Sequence, residues 1–253
     1  QIRWYSLAYI IGIILGWIYA IKIIKLTENN DYSFYPVKKT DFDDLVVYLI
    51  LGIILGGRLG YVIFYNFGYY AQNFSEIFMI WHGGMSFHGG LLGVIVSAFI
   101  FSKNKKISFF KLTDILACVT PIGIFLGRIA NFINGELFGK ISTLPWAVIF
   151  PNGGNAARHP SQIYEAVLEG VVLFVLINFL AIKKGLLYKT GYISSCFLIA
   201  YSILRIFSEN FREPDQHLGY LFNYLSMGTL LSILTLITGF IIIFFIKKNE
   251  QNN

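Results

Sequence analysis

The chain has 253 residues, of which 56% are hydrophobic and only 13% charged, about half the charged fraction of a typical soluble domain. That composition excludes a water-exposed globular domain and asks for a bilayer to hide the apolar sequence. The net charge of +6 does not point to nucleic acid, because the lysines fall in short clusters between apolar runs, as in cytoplasmic loops.

In chain order, seven apolar stretches are long enough to cross a membrane, a crossing needing about 20 helical residues. They are residues 5–24, 44–65, 81–101, 112–133, 162–182, 191–208 and 223–246. Glycines crowd the third, from Gly83 to Gly93. The first has no polar leader and no cleavage site, so it reads as a retained span and not as a signal peptide. Connections are short except at 134–160, where Pro145, Pro151, Gly153 and Gly154 mark an external loop. The expected fold is one all-α integral membrane domain over 1–253, a polytopic bundle of about seven transmembrane helices. Cys118 and Cys196 lie inside apolar runs and read as packing residues, not as a disulfide or metal site. The first residue, Gln1, is not Met, and a longer gene product is expected.

Charge orients the spans. Lys22, Lys25, Lys38 and Lys39 follow the first, Lys103, Lys105, Lys106 and Lys111 the third, and Lys183, Lys184 and Lys189 the fifth. Lys247 and Lys248 follow the last. These alternate ends carry 13 of the 14 lysines and are expected in the cytoplasm. The N-terminus is then outside and the C-terminus inside, with external loops between spans four and five and between six and seven. The arginines Arg3, Arg58, Arg128, Arg158, Arg205 and Arg212 fall at the opposite ends, as do His82, His88, His159 and His217. Two readings explain them: snorkelling at helix ends, or recognition of an anionic group, for which the guanidinium fork suits phosphate.

Depth separates the two. Arg58 is 14 residues past Asp44, Arg128 is 16 past Leu112 and Arg205 is 14 past Gly191. At helical rise all three stand roughly 20–25 Å above the inner boundary, within a hydrocarbon core about 30 Å thick. An arginine there costs at least about 2.5 kcal/mol unless paired or hydrated. A functional cluster in the outer leaflet explains three such costs together.

Three constellations supply the rest. Tyr201, Arg205 and Glu209 are spaced i, i+4, i+8, and Arg212 follows Arg205 by seven, so one helix face carries all four. A self-satisfied salt-bridge ladder is the plainer reading of that face. Arg128 and Asn131 share a face, with Asn134, Glu136 and Gly139 just beyond; helix capping is the plainer reading of the asparagines. His88 follows a glycine-rich opening and is a natural general base near neutral pH. Tyr5 opens the first span, where an interfacial belt tyrosine is the plainer reading. The segment Arg158-His-Pro-Ser-Gln-Ile-Tyr-Glu165 leads into span five and offers polar groups to the same pocket. There is no H-E-x-x-H, Walker A, G-x-S-x-G or paired-cysteine motif. No metal, cofactor, nucleotide or serine nucleophile is therefore expected.

The blocks Gly57-Arg58-Leu-Gly-Tyr-Val, Gly83-Gly-Met-Ser-Phe-His88-Gly-Gly-Leu, Gly127-Arg128-Ile-Ala-Asn131-Phe-Ile-Asn134-Gly-Glu136-Leu-Phe-Gly139, Arg158-His-Pro-Ser-Gln-Ile-Tyr-Glu165 and Arg205…Glu209…Arg212-Glu-Pro-Asp closely resemble bacterial prolipoprotein diacylglyceryl transferase, from about Ile2 to the last span. The family usually carries further residues before the segment that matches Arg3-Trp4-Tyr5, which suggests a trimmed sequence. The resemblance implies an inner-membrane enzyme of lipoprotein maturation. It would move the diacylglyceryl group of phosphatidylglycerol to the lipobox cysteine thiol of a preprolipoprotein, leaving a thioether and glycerol 1-phosphate. It also implies roles: Arg128 and Arg205 on the phosphate, and His88, with or without Tyr201, in deprotonating the thiol. Arg58, Asn131, Asn134, Glu136, Gly139, Tyr5, Glu209 and Arg212 would serve in binding. The partners would be the lipid, the signal peptide and the bilayer, and not nucleic acid. The rival reading is a transporter or binding protein for an anionic lipid or phosphate-bearing solute using the same arginines. A purely structural membrane subunit would leave the depth of the arginines unexplained.

The orientation has a direct test. In Asn104→Cys, a membrane-impermeant maleimide should label the new thiol only after the cytoplasmic face is opened; labelling of intact cells would invert the topology.

Overall fold

The computed structural model describes residues 4–28, 37–214, 220–221 and 225–252. Arg3, Asp215 and His217 lie outside them. Nine α-helices occur among the described residues: α1 (Trp4–Glu28), α2 (Lys39–Tyr65), α3 (Phe67–Gln72), α4 (Phe87–Lys105), α5 (Phe109–Asn134), α6 (Ser161–Glu165), α7 (Leu173–Asn178), α8 (Tyr192–Glu209) and α9 (Met227–Asn252). Helices α6 and α7 belong to one continuous span, Ser161–Lys183, with π-helical stretches at Ala166–Val172 and Phe179–Lys183. Seven helical segments are long and apolar enough to cross a membrane, in agreement with the expected number. A two-stranded antiparallel ribbon, Tyr220–Leu221 with Leu225–Ser226, precedes α9.

The third span begins later than hydropathy alone suggests. Gly83 and Gly84 have φ of +85° and +78°, a left-handed backbone that no helix continues. Ser86 then caps α4, its Oγ accepting from the Gly89 amide. His82 is thus left in a short 3-10 turn, Ile80–His82, ahead of the helix. The connection from 66 to 86 also holds α3 and a second 3-10 turn, Phe74–Phe78, so it is ordered and not a bare loop. The second span starts earlier than hydropathy suggests, because Asp41 accepts from the Lys38 amide and fixes the first turn of α2.

The chain divides into two compact units, residues 24–113 and residues 1–23 with 114–253. In the first, α2 and α4 meet largely backbone to backbone, with the small side chains of Ser86 and Ser97 at the contact. Gly52, Gly56 and Gly60 on α2 face Gly89 and Gly93 on α4. A Cβ on Gly60 would lie 2.7 Å from the Gly89 Cα, one on Gly56 2.8 Å from the Gly93 Cα, and one on Gly93 would overlap the Gly52 carbonyl. Four-residue spacing puts the glycines on one stripe of each helix, the small-x-x-x-small device by which backbones approach within a bilayer. At one end of this unit Lys105 pairs with Asp44 at 2.7 Å and with Asp41 at 3.9 Å.

In the other unit, Asn178 joins three helices: it accepts from Tyr19 Oη of α1 at 3.1 Å and donates to the Cys118 carbonyl of α5 at 3.0 Å. Such amide bonds hold helices together where apolar contact gives no preference over lipid. Buried Asp114 of α5 accepts from the amides of Gly191 and Ser194 at 2.6 and 2.7 Å. A carboxylate from one helix therefore caps the positive end of another, α8. Cys118 and Cys196 are both free thiols.

Gly93→Ala should lower the thermal unfolding midpoint in detergent through overpacking worth about 1–3 kcal/mol. Gly68→Ala on α3, where an added Cβ meets nothing, should not lower it. Equal midpoints for the two variants would show that the glycine seam carries no tight contact.

Candidate functional site

Span five lays two acids along one helical face, Glu165 and Glu169, both fully buried. Four-residue spacing puts them in the same direction, and Arg205 of α8 answers both. Its Nη1 lies 2.8 Å from Glu165 Oε1 and 3.2 Å from Glu169 Oε1. Its Nη2 pairs with Glu209 one turn further along α8, at 2.7 Å. Arg128 of α5 meets the other oxygens of the same two acids, Nε with Glu165 Oε2 at 3.0 Å and Nη2 with Glu169 Oε2 at 3.1 Å. Arg212, just past α8, adds Nη1 to Glu165 Oε1 at 3.3 Å.

Three guanidiniums and three carboxylates thus neutralise one another among apolar helices. Burial of such charges is tolerable only in paired, hydrogen-bonded form. Of the ladder expected along α8 the helix carries the Arg205–Glu209 pair, whereas Arg212 lies past the helix end and reaches Glu165 of span five, so the network extends beyond one helix face. The Arg128 side chain is 17% exposed and that of Arg205 9%, so Arg128 is the more open of the two central arginines. Tyr201, one turn before Arg205, stacks on Phe197 with centroids 5.9 Å apart and stands within electrostatic reach of Glu169, Arg205 and Arg128.

Close glycine contacts admit the network. A Cβ on Gly228 would come 2.6 Å from Glu209 Oε1, whose acceptor role is completed by Ser226 Oγ at 2.8 Å. A Cβ on Gly139 would lie 2.5 Å from the Phe211 carbonyl oxygen and 2.6 Å from that of His159. Gly139 therefore serves by close backbone approach, pairing with Arg212 in an isolated bridge.

A second polar cluster closes the end of α5. Tyr5 of α1 donates to Asn131 Oδ1, and Asn134 Nδ2 donates to Glu136 Oε1 at 2.9 Å. The Glu136 carbonyl accepts from Gln162 Nε2 at 2.7 Å, which ties the cluster to the start of span five. Tyr5, Asn131, Asn134 and Glu136 are thereby brought together, and Tyr5 does more than mark a membrane belt. The loop at 134–160 is ordered around Arg158. This residue donates to the carbonyls of Gly153 and Gly139 at 3.0 and 3.2 Å, pairs with Glu213 at 3.2 Å and lies 4.8 Å over the Phe138 ring.

Two predicted site residues belong to the other unit. Arg58 is buried and spends its donors on backbone: Nε on Ile77 at 2.8 Å, Nη1 on Gly83 and Gly84, Nη2 on Glu76 and Met79. With Tyr70 5.0 Å beneath it, it knits the turns before α4. His88 is the second residue of α4 and is exposed, its ring edge-on to Phe87 at 5.5 Å.

Glu169 is not among the residues that the sequence motifs single out, and Glu165 stands among them only as the end of the segment leading into span five. The signal was present, since two acids four apart inside an otherwise apolar span are costly unless partnered.

A family model described as prolipoprotein diacylglyceryl transferase matches residues 1–245. The chain belongs to the prolipoprotein diacylglyceryl transferase family. Curated relatives carry the name phosphatidylglycerol–prolipoprotein diacylglyceryl transferase. One, from Rhizobium meliloti (strain 1021), is 47% identical over 94% of this chain and 85% of its own length. One from Rickettsia bellii (strain OSU 85-389) is 48% identical over 98% and 91%. One from Nitrobacter hamburgensis is 49% identical over 96% and 83%. Members of this family are transferases by name, and the arginine–glutamate network lies within the matched region.

Glu165→Ala would strip three arginines of a shared partner. It should cost about 3–5 kcal/mol, the price of an uncompensated buried charge, read as a large fall in the unfolding midpoint. A fall no greater than that of an exposed control such as Glu250→Ala would mean that the buried pairs do not form.

Proposed function

We propose that this chain transfers the diacylglyceryl group of phosphatidylglycerol to the lipobox cysteine thiol of a preprolipoprotein, releasing glycerol 1-phosphate. The supporting observation is the paired Arg128 and Arg205, held by common carboxylates inside apolar spans of a chain in this family. In the proposed step the thiolate attacks the glyceryl carbon that bears the phosphate ester. The S–C bond forms, the C–O bond breaks, and the electron pair leaves on the phosphate oxygen. Arg128, as the more open arginine, donates to that oxygen as its charge grows, with Arg205 behind it; preorganised donors in a dry site stabilise such charge strongly.

The nucleophile comes from the substrate, so the buried thiol Cys118 has no part in it. A free thiol has a pKa near 8.5, and a base raises the thiolate fraction. His88 and Tyr201 are the two candidates for that base. Tyr5, Asn131, Asn134 and Glu136 supply a polar rim for the glycerol portion. The proposal includes an inner-membrane location, with the lysine-rich ends cytoplasmic and the chemistry in the outer leaflet, the side on which a translocated signal peptide presents its cysteine.

The test is reconstitution in vesicles of phosphatidylglycerol with a lipobox peptide, read by mass spectrometry. A peptide adduct one diacylglyceryl group heavier is expected, and folded protein that yields none would sink the transferase reading in favour of anion binding or transport. In the same assay Arg128→Ala should lose at least about 100-fold in turnover, as when one charge-stabilising donor is removed; near-normal turnover would take Arg128 out of the site.

A further inference from the structure

We propose that Glu169 is a positioning residue of the transfer reaction, which sets the two phosphate-binding arginines in one orientation before substrate arrives; this rests on the transferase reading above. Glu169 is fully buried in span five, away from solvent. Both of its oxygens are committed. Oε2 takes Arg128 Nη2 at 3.1 Å, and Oε1 takes Arg205 Nη1 at 3.2 Å and Ser208 Oγ at 3.1 Å. One carboxylate therefore bridges guanidiniums from two different helices, α5 and α8.

Local backbone serves this bridge. Glu169 lies within the π-helical stretch Ala166–Val172, a wider winding that is rare and recurs at functional sites. With it, acids four residues apart reach the same Arg205 nitrogen. Its neighbour Gly170 lets span five approach α5: a Cβ there would lie 2.7 Å from Phe125 Cβ, one turn before Arg128. Gly170 and Ser208 are thus fitted to Glu169 from two sides.

Glu165 and Glu169 divide the labour. Glu165 serves Arg128, Arg205 and Arg212, and its loss strikes the fold. Glu169 meets Arg128 and Arg205, with Ser208 as its neutral donor. Glu165 alone would hold the two guanidiniums at a single shared anchor, whereas Glu169 gives them a second and fixes how each is turned toward the other. The same carboxylate lowers their pull on a ground-state anion. Its contribution is therefore to orientation in the transition state and not to lipid affinity, and only differential stabilisation of that kind raises kcat.

The experiment is steady-state kinetics on monodisperse, folded Glu169→Gln in phosphatidylglycerol vesicles with the lipobox peptide, beside the parent. The isosteric amide keeps the volume and removes the charge. A fall in kcat of about 100-fold is expected, the scale of an ångström-level misplacement, with KM for the lipid unchanged or lower. A kcat within threefold of the parent, or a loss expressed as raised KM, would overturn the role. Ser208→Ala, which removes one of the two donors to Glu169 Oε1 without altering charge, should lower kcat several-fold at constant KM. If Glu169→Gln does not fold, Ser208→Ala alone decides, and parental kinetics there would also overturn the proposal. No adduct from the parent refutes the transferase reading itself; adduct from the parent with undiminished Glu169→Gln refutes only the role of Glu169.

Discussion

Charge neutrality inside hydrocarbon is the constraint on which the larger unit depends. An arginine among apolar helices must find a carboxylate, and a carboxylate must find its remaining donors. Arg128, Arg205 and Arg212 meet Glu165, Glu169 and Glu209 in equal number. The requirement then spreads outward. Ser208 adds a donor to Glu169 and Ser226 one to Glu209. Gly170 and Gly228 leave room for the helices and side chains that carry them. Span five, which would otherwise be a plain apolar helix, is rewound locally where its acids must point. Sequence, backbone and chemistry converge because each unpaired charge would cost more than the adjustments that pair it.

The smaller unit uses arginine for a different purpose. Arg58 meets carbonyl oxygens of the 3-10 turns and of the glycine link before α4, and gives the Glu76 and Met79 carbonyls a second donor beside the amides of Met79 and His82. Unpaired backbone carbonyls are expensive when water is excluded. One planar cation with several donors settles them together and fixes the path from α2 to α4. Ser86 finishes the join by donating its amide to the Gly57 carbonyl at 2.8 Å. The same residue type thus serves as a scaffold element at Arg58 and Arg158 and stands at the centre of a charged site at Arg128 and Arg205. Depth in the membrane alone does not tell these uses apart; the identity of the acceptors does.

Much of this was legible in the sequence. Seven spans follow from apolar length, and the shared face of Tyr201, Arg205 and Glu209 follows from helical spacing. Tyr5 with Asn131, and Asn134 with Glu136, were expected as site residues and stand together. What spacing could not give was partnership between distant segments. Glu169 lies 41 residues from Arg128 and 36 from Arg205, and no local pattern joins them. The late start of α4 escaped hydropathy for another reason: Trp81 and Met85 are apolar enough to extend the run, but positive φ at Gly83 and Gly84 breaks it. Backbone conformation, not side-chain polarity, set that boundary.

The glycine seam between α2 and α4 has a further consequence, for entropy. A helix contact normally contains side chains whose rotamers let one helix slide over another. Here backbone rests on backbone with only small side chains such as Ser86 and Ser97 beside it, so few rotamers can rearrange at the contact. His88 immediately precedes Gly89, which sits in that seam against Gly56 and Gly60. The main chain of His88 is thus immobilised by its own neighbour, and ordering its imidazole requires fixing only side-chain torsions. A histidine mounted in this way gives up little freedom when it engages a proton.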